Sequence, residues 1–181
     1  MRQNMKKKTI FSGILNGILI GSVVVVASSI AAESQTKTQA VITEAITNFN
    51  HEEANCLALN VYYEARSSNL ADKAAVADVV INRSLDRRYP ETICGVVHDG
   101  YTPGRQDCQF SWYCDGKNDD PQNEDRWIEA QSIAYNMLTL GKFRGITEGA
   151  THYHATYVNP YWADSLQMVG TIGEHIYYRW E

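Results

Sequence analysis

Apolar residues recur with the period of an α-helix in three stretches of this 181-residue chain. The first stretch spans residues 53–66. The second begins near Leu70, where Asn69 is the expected N-cap. The third runs over residues 125–140 and is followed by a glycine, a common helix stop. Because only three residues separate the first two helices, we expect them to pack against each other.

Residues 89–123 lose the helical period and are rich in glycine and proline, with three of the four cysteines. This composition predicts an irregular, disulfide-stapled lobe with short strands at most. Two later segments, 151–158 and 172–180, are predicted strands. The whole pattern predicts a mainly helical α+β domain.

The first 32 residues have the composition of an export signal. They hold four basic residues, no acid, and an uncharged run over residues 9–32 that ends in small side chains. That run is long for a signal peptide and has three glycines at four-residue spacing, so a retained membrane anchor or transient membrane attachment stays open. The expected organisation is a signal peptide or anchor at 1–32, a linker at 33–51 and one domain at 52–181.

Either interpretation of the leader exports the remainder of the chain to the periplasm or cell envelope. Without the four leader residues, 12 basic residues face 21 acidic ones, a formal net charge of −9. A domain this acidic is a poor nucleic-acid binder, which excludes that class of partner. We expect a monomer.

All four cysteines lie in the exported part, where an even number favours disulfide bonds. Three pairings are open. The six-residue interval between Cys108 and Cys114 favours a small loop staple, with Cys56 bonded to Cys94. The alternative is that Cys56 is a helix-terminus nucleophile, which would leave three cysteines unexplained in an exported protein.

Glu64 lies on the apolar stripe of the first predicted helix, in line with Leu57 and Val61. A carboxyl group there is partly desolvated, and desolvation raises its pKa toward the range that a general acid needs. The alternative hypothesis is a structural glutamate that pairs with Arg66 or Arg83.

Aromatic residues interleave with amides and hydroxyls at four places along the chain, a composition that suits an extended carbohydrate groove. Tyr63, beside Glu64, and Trp112, in the stretch that begins at Gln109, are candidate binding residues of this kind. The alternative is that each ring belongs to the hydrophobic core.

His152 and His154 are two residues apart, so in a strand they face the same side and invite a metal site with His98 or His175. No carboxylate or cysteine lies beside them at ligand spacing. We therefore predict no metal and no cofactor.

Five stretches, in order, resemble the successive motifs of the spore-cortex-lytic (SleB-type) cell wall hydrolase family. They are CLALNVYYEAR at 56–66, AVADVVINR at 75–83, YPETICGVV at 89–97, CQFSWYCDG at 108–116 and GATHYHA at 149–155. The resemblance covers about residues 54–179.

This resemblance implies a lysozyme-like fold related to lytic transglycosylases, acting on the glycan strands of peptidoglycan. It implies that Glu64, in the Glu-Ala-Arg motif, is the catalytic acid/base. It also implies groove roles for Gln109, Ser111, Tyr153 and His154. Family members often continue this motif with Gly-Glu, where this chain has Ser67 and Ser68.

A chain without that second carboxylate suits a lytic transglycosylase, in which the substrate's own 6-hydroxyl is the nucleophile and an anhydro-muramyl end results. The alternatives are a hydrolytic muramidase on the same fold and a non-catalytic wall-binding module. Bacterial wall turnover and phage lysis, as by an endolysin, are equally compatible with the sequence.

Overall fold

The computed structural model describes residues 34–39, 50–105 and 107–181. The chain forms two units, Met1–Asn48 and Phe49–Glu181. Within the first unit, residues 34–39 are helical. The predicted leader at 1–32 and most of the predicted linker lie outside the described residues. No helix in the described ranges is long and apolar enough to cross a lipid bilayer.

The second unit is a mainly helical α+β domain, as the sequence pattern predicts. Its α-helices are α1 (His51–Ala65), α2 (Leu70–Ser84), α3 (Ile93–Val97) and α4 (Glu124–Leu140). Two 3₁₀ turns, η1 (Ser111–Cys114) and η2 (Ala163–Ser165), lie in the connections. The strands are β1 (His152–Ala155), β2 (Gln167–Ile172) and β3 (His175–Arg179).

Capping residues mark where the helices begin and end. The Asn50 side chain accepts hydrogen bonds from the first-turn amides of α1, and Asn69, the predicted cap, accepts one from the Asp72 amide at 3.0 Å. Helix α4 ends at Gly141, whose φ of 63° is a left-handed conformation that glycine adopts without steric cost. These boundaries lie within two residues of the predicted ones.

Helix α1 is the centre of the helical half of the domain. It packs against α2, α3 and α4, and Leu57, Val61 and Tyr62 on it are at most 1% exposed. Burial of each such side chain contributes about 1.5–3 kcal/mol. The expected packing of the first two helices against each other is confirmed.

The strands form one antiparallel sheet in the order β1-β3-β2. Tyr153 lies opposite Tyr177 across the β1–β3 pair, and a register shift interrupts the β2–β3 pair between Met168 and Gly170. Strand β2 was not predicted. Three of its six residues are exposed, the other three are partly buried, and the register shift breaks the alternation of the two faces.

Helix α2 lies between the helical half and the sheet, and it is apolar on both sides. Ala77 and Val80 join the core of the helical half. Ala75 and Val79 instead pack with Tyr177 of β3 in a second, smaller cluster. Because both faces of α2 are buried, its polar side chains must find partners inside the protein.

Asp72, in the first turn of α2, is fully buried and anchors the β2–β3 hairpin. Its carboxylate accepts hydrogen bonds from the Glu174 amide at 3.1 Å, from His175 Nδ1 at 2.9 Å and from the Tyr177 hydroxyl at 2.8 Å. The hairpin comes so close that a Cβ on Gly173 would lie 2.5 Å from the Asp72 Cβ. A side chain at position 173 is therefore incompatible with this docking.

Asp78, six residues after Asp72 on α2, anchors the loop between α4 and β1. It is fully buried and bonds to the Arg144 guanidinium, the Gly145 amide, and both the amide and the hydroxyl of Thr147. Asn82, farther along the same helix, donates to the Ala150 carbonyl at 2.9 Å. The loop that leads into β1 is thereby fixed on α2.

Two disulfide bonds join Cys56 to Cys94 and Cys108 to Cys114, the pairing that the spacing favours. The first ties α1 to α3, and the second closes the loop that contains η1. In the described part of residues 89–123 the regular elements are the short helices α3 and η1. The sequence pattern had allowed short strands there. No described cysteine is free, so Cys56 is not a thiolate nucleophile.

We expect Asp72→Asn to lower the free energy of unfolding by about 2–3 kcal/mol, because it weakens charge-assisted hydrogen bonds inside the protein. Burial alone raises the pKa of Asp72, but the bonds from His175, Glu174 and Tyr177 outweigh it and hold the pKa below 3.8. The ionised form therefore stabilises the fold at every pH above about 4, and this contribution is lost as the pH falls below 3.8 toward the folded pKa. Urea unfolding of both proteins from pH 7 to pH 2 measures this, and a variant as stable as the parent at neutral pH contradicts it.

We expect the Cys56–Cys94 bond to contribute more stability than the Cys108–Cys114 bond. The two bonds close intervals of 38 and 6 residues, and the chain-entropy model assigns the longer loop about 1.5 kcal/mol more. Urea unfolding of the two paired Cys→Ser variants measures the difference. A larger loss on removing the short staple would show that native contacts, not loop entropy, set the contribution.

Candidate active site

A cleft of about 240 Å³ lies between the helical half and the sheet. Its walls come from the end of α1, from α2, from the stapled lobe and from the sheet with the segment that follows β1. The lining residues are Glu64, Arg83, Gln109, Phe110, His152, Tyr153 and Trp162.

Glu64 projects into the cleft from the last turn of α1 and is partly buried. Its carboxylate accepts a hydrogen bond from the Tyr153 hydroxyl at 3.0 Å. Burial raises the pKa of Glu64 above 4.5, and the Tyr153 bond and the charges of His175 and Arg83 oppose that rise only in part. The geometry gives a carboxyl group that holds its proton more firmly than an ordinary glutamate does.

The structural alternative, a salt bridge from Glu64 to Arg66 or Arg83, is not found. Among the described residues no ion pair joins Glu64 to an arginine. Arg66 donates instead to the Tyr62 hydroxyl at 3.3 Å. The hydrogen-bond donor of Glu64 is thus the neutral hydroxyl of Tyr153.

Arg83 reaches the cleft from the end of α2 and is 5% exposed. Its Nε donates to the Thr151 carbonyl at 2.7 Å, and its guanidinium lies 5.4 Å from the ring centres of both Tyr89 and Phe110. Burial lowers the pKa of Arg83, while Tyr153, Tyr89 and Glu64 oppose that shift. Since a guanidinium stays protonated in proteins, Arg83 places a fixed positive charge beside Glu64.

Tyr153 is held from behind by a row of buried groups. Its ring lies 5.1 Å from the His175 ring, edge to face, and 5.7 Å from the Tyr177 ring. Both of those residues bond to Asp72. Burial raises the pKa of Tyr153 well above 10, so its hydroxyl remains a donor at every physiological pH.

The structure brings together only part of the predicted groove. Gln109 and Tyr153 line the cleft with Glu64. Trp112 is 8% exposed and donates from its indole nitrogen to Asn60 at 3.2 Å, and Tyr63 stacks on it at 4.7 Å. These two rings therefore pack with the core of the helical half.

Ser111 and His154 also lie outside the lining of the cleft. Ser111 is exposed at the start of η1. His154 Nε2 lies 2.9 Å from the Tyr178 hydroxyl, and its Nδ1 lies 2.9 Å from the Ala155 carbonyl. Both ring nitrogens of His154 thus have protein partners.

His152 faces the same side of β1 as His154, as predicted, and it does line the cleft. Burial, together with the charges of Arg83 and Arg88, lowers the pKa of His152 to about 4, so it is neutral near pH 7. Within residues 34–39, 50–105 and 107–181, no three histidine, cysteine or acidic side chains lie together as metal ligands would.

Arg83, Phe110, His152 and Trp162 line the cleft but were not among the predicted site residues. Arg83 was a possible partner of Glu64, and the other three lie in the interleaved aromatic stretches, without a role of their own. The motif at 149–155, which contains His152, was the sequence signal that pointed to this part of the cleft. The packing of β1 against α2 is needed to see which side chains of that motif face Glu64.

A family model described as Cell Wall Hydrolase matches residues 67–178. That segment is more than half of the chain. The chain belongs to this cell wall hydrolase family. The matched segment begins three residues after Glu64 and does not include it. The case for Glu64 as a site residue therefore rests on the geometry of the cleft.

Two solved structures share the fold of this chain. One is the catalytic domain of the germination-specific lytic transglycosylase SleB from Bacillus anthracis, with a TM-score of 0.57 at 22% identity over 73% of this chain and 98% of that one. The other is the catalytic domain of the Bacillus cereus SleB protein, with a TM-score of 0.55 at 24% identity over 73% of this chain and 94% of that one. They confirm the predicted fold class. No curated protein sequence matches the chain.

We expect Tyr153→Phe to raise the pKa of Glu64 further. The Tyr153 hydroxyl bonds to the carboxylate and so favours the ionised form, and its removal leaves burial less opposed. NMR titration of the Glu64 side-chain carbonyl carbon in both proteins measures the shift. An unchanged or lower pKa in the variant would mean that the hydrogen bond does not act on the carboxylate in solution.

Proposed function

We propose that this cell wall hydrolase cleaves peptidoglycan glycan strands between N-acetylmuramic acid and N-acetylglucosamine, with Glu64 as the acid/base. The observation that carries the proposal is a carboxyl group of raised pKa in a cleft, held by a neutral hydroxyl donor. A protonated carboxyl near neutral pH is what a glycosidic leaving oxygen requires.

Among the described residues that line the cleft, Glu64 alone is acidic. Ordinary glycosidases use two carboxylates, the second to activate water or to attack the sugar. A lytic transglycosylase needs no second one, because its nucleophile is part of the substrate and is present at high effective concentration. The single acid therefore supports the transglycosylase over the hydrolytic muramidase.

The proposed reaction has two proton transfers. Glu64 first gives its proton to the glycosidic oxygen as the bond from that oxygen to C1 of the muramyl residue breaks. The Glu64 carboxylate then takes the proton of the muramyl 6-hydroxyl, whose oxygen closes on C1 to form the anhydro ring. The acid is regenerated, and no water is consumed.

Arg83 and Tyr153 suit the interval between these transfers, when Glu64 is an anion in a partly desolvated site. The positive charge of Arg83 and the hydrogen bond from Tyr153 both favour that ionised form. They limit the rise of the Glu64 pKa. The carboxyl group can therefore still give up its proton to the leaving oxygen.

The Bacillus anthracis neighbour is itself described as a lytic transglycosylase, which supports the same product here. We further propose that the chain acts as an exported monomer in the periplasm or cell envelope, without a cofactor, and that residues 1–32 direct or transiently tether it there. The leader composition supports export.

We expect Glu64→Gln to reduce lysis of wall suspensions by about a hundredfold or more, because glutamine has no proton to transfer and forms no carboxylate. The pKa of Glu64 is higher in the folded protein than the 4.5 of the unfolded chain, so ionised Glu64 lowers the free energy of unfolding above pH 4.5. At pH 7 the variant should therefore unfold at an equal or higher temperature. Turbidity loss and thermal unfolding measure the two effects.

Glu52→Gln is the matched control, since Glu52 lies on the same helix but is exposed in its first turn. We expect it to keep parental activity. A Glu64→Gln protein that clears walls at even a tenth of the parental rate would remove Glu64 from the chemistry. Mass spectrometry of the products reads the reaction itself: anhydro-muramyl ends support the transglycosylase, and reducing muramyl ends, one water heavier, identify a muramidase.

A further inference from the structure

The segment between β1 and η2 exposes two aromatic rings almost completely. In this tyrosine loop, defined as residues 156–162, Tyr157 is 89% exposed and Tyr161 is 95% exposed. No hydrogen bond or ring contact joins either side chain to another described residue. A tyrosine ring is a large apolar surface with a polar tip, and rings left in water beside a cleft are typical of a binding surface.

The backbone of the tyrosine loop is fixed at both ends. The Thr156 amide donates to the Glu174 carbonyl at 2.9 Å, and the Val158 amide donates to the Ala155 carbonyl at 2.9 Å. At the far end the Ala163 amide donates to the Pro160 carbonyl at 3.1 Å. The two tyrosines are thus presented by an ordered backbone, which lowers the entropy that binding would cost.

The tyrosine loop is continuous with the cleft through Trp162. That ring lines the cleft and lies 5.3 Å from the His152 ring, 5.6 Å from the His154 ring and 5.5 Å from the Tyr178 ring. Tyr161 directly precedes it in the chain. One end of the tyrosine loop therefore lies in the wall of the cleft, and the loop carries the two exposed rings onward from it.

We propose that the tyrosine loop binds the glycan strand beyond the cleft, with Tyr157 and Tyr161 stacked on the apolar faces of its sugar rings. This inference rests on the proposed function and adds a substrate-binding site to it. The cleft, at about 240 Å³, is smaller than the roughly 300–1,000 Å³ of ordinary ligand sites, so a polymer must extend past it. The tyrosine loop provides a surface for the part of the glycan that extends past the cleft.

The composition of the tyrosine loop favours a glycan over other polymers. Residues 156–162 carry no charge in a chain whose formal net charge is −5. A polyanion gains no cationic partner there. A polyhydroxylated chain with apolar ring faces finds rings to stack on, and the phenol hydroxyls and Asn159 offer hydrogen bonds.

The test measures binding without cleavage. Glu64→Gln protein is incubated with purified wall sacculi, and the bound fraction is compared with that of the same protein carrying Tyr157→Ala and Tyr161→Ala. We expect the double substitution to weaken sacculus binding about tenfold, and the Tyr157→Phe, Tyr161→Phe pair to keep most of it, because the rings remain. Leu85→Ala, at a side chain 75% exposed beyond the end of α2, is the matched control and should bind as the parent does.

The same loop substitutions are then made in the active protein. We expect KM for sacculi to rise while kcat on a soluble tetrasaccharide of peptidoglycan stays unchanged, since the chemistry at Glu64 is untouched. Unchanged sacculus binding overturns the proposal. So does an equal loss on both substrates with a lowered unfolding temperature, which would make the loop structural.

The last part of the test measures binding of the same proteins to vesicles of phosphatidylglycerol. Vesicle binding that the tyrosine substitutions abolish, with sacculus binding intact, would assign the loop to a lipid surface and overturn the glycan proposal. The result is separable from the role of Glu64: a Glu64→Gln protein that still lyses walls refutes the acid, whereas the sacculus binding assay reports on the loop alone.

Discussion

Two buried carboxylates on one helix hold the domain together. Asp72 and Asp78 are fully buried on α2 and receive donors from the β2–β3 hairpin and from the loop before β1. A buried charge is tolerated only with such partners, and loss of one partner leaves an uncompensated ion in a low dielectric. The position of the sheet relative to the helices therefore follows from where these two side chains stand on α2.

The candidate site depends on that placement, because Glu64 and its donor come from opposite sides of α2. Glu64 lies on α1, whereas Tyr153 lies on β1, whose partner strand β3 bonds to Asp72 through His175 and Tyr177. A hydrogen bond of 3.0 Å tolerates little movement. The buried anion on α2 thus sets the geometry, and through it the proton affinity, of the proposed acid.

Local signals were enough to predict the three long helices, the Asn69 cap, the Gly141 stop and the disulfide pairing, because each depends on residues close in sequence or on short spacing. The apolar stripe also placed Glu64 correctly as a partly desolvated group. The partners of Asp72 lie more than a hundred residues away, so neither its burial nor its role was visible in the sequence. A long separation from Glu64 along the chain likewise explains why His152 and Trp162 were not among the predicted site residues. Trp112, placed in the groove from its composition, packs against Asn60 and Tyr63.

The Glu64–Tyr153 contact joins residues that lie far apart in the chain, so the candidate site forms late in folding. The two residues are 89 positions apart, and the Asp72–Tyr177 bond behind them closes an interval of 105. A nascent chain that has emerged only as far as α4 holds Glu64 but lacks its donor and the opposite wall of the cleft. Contacts of such long range form late. The candidate site is assembled only when the C-terminal hairpin docks on α2, so an incomplete or still unfolded chain lacks the Glu64–Tyr153 contact.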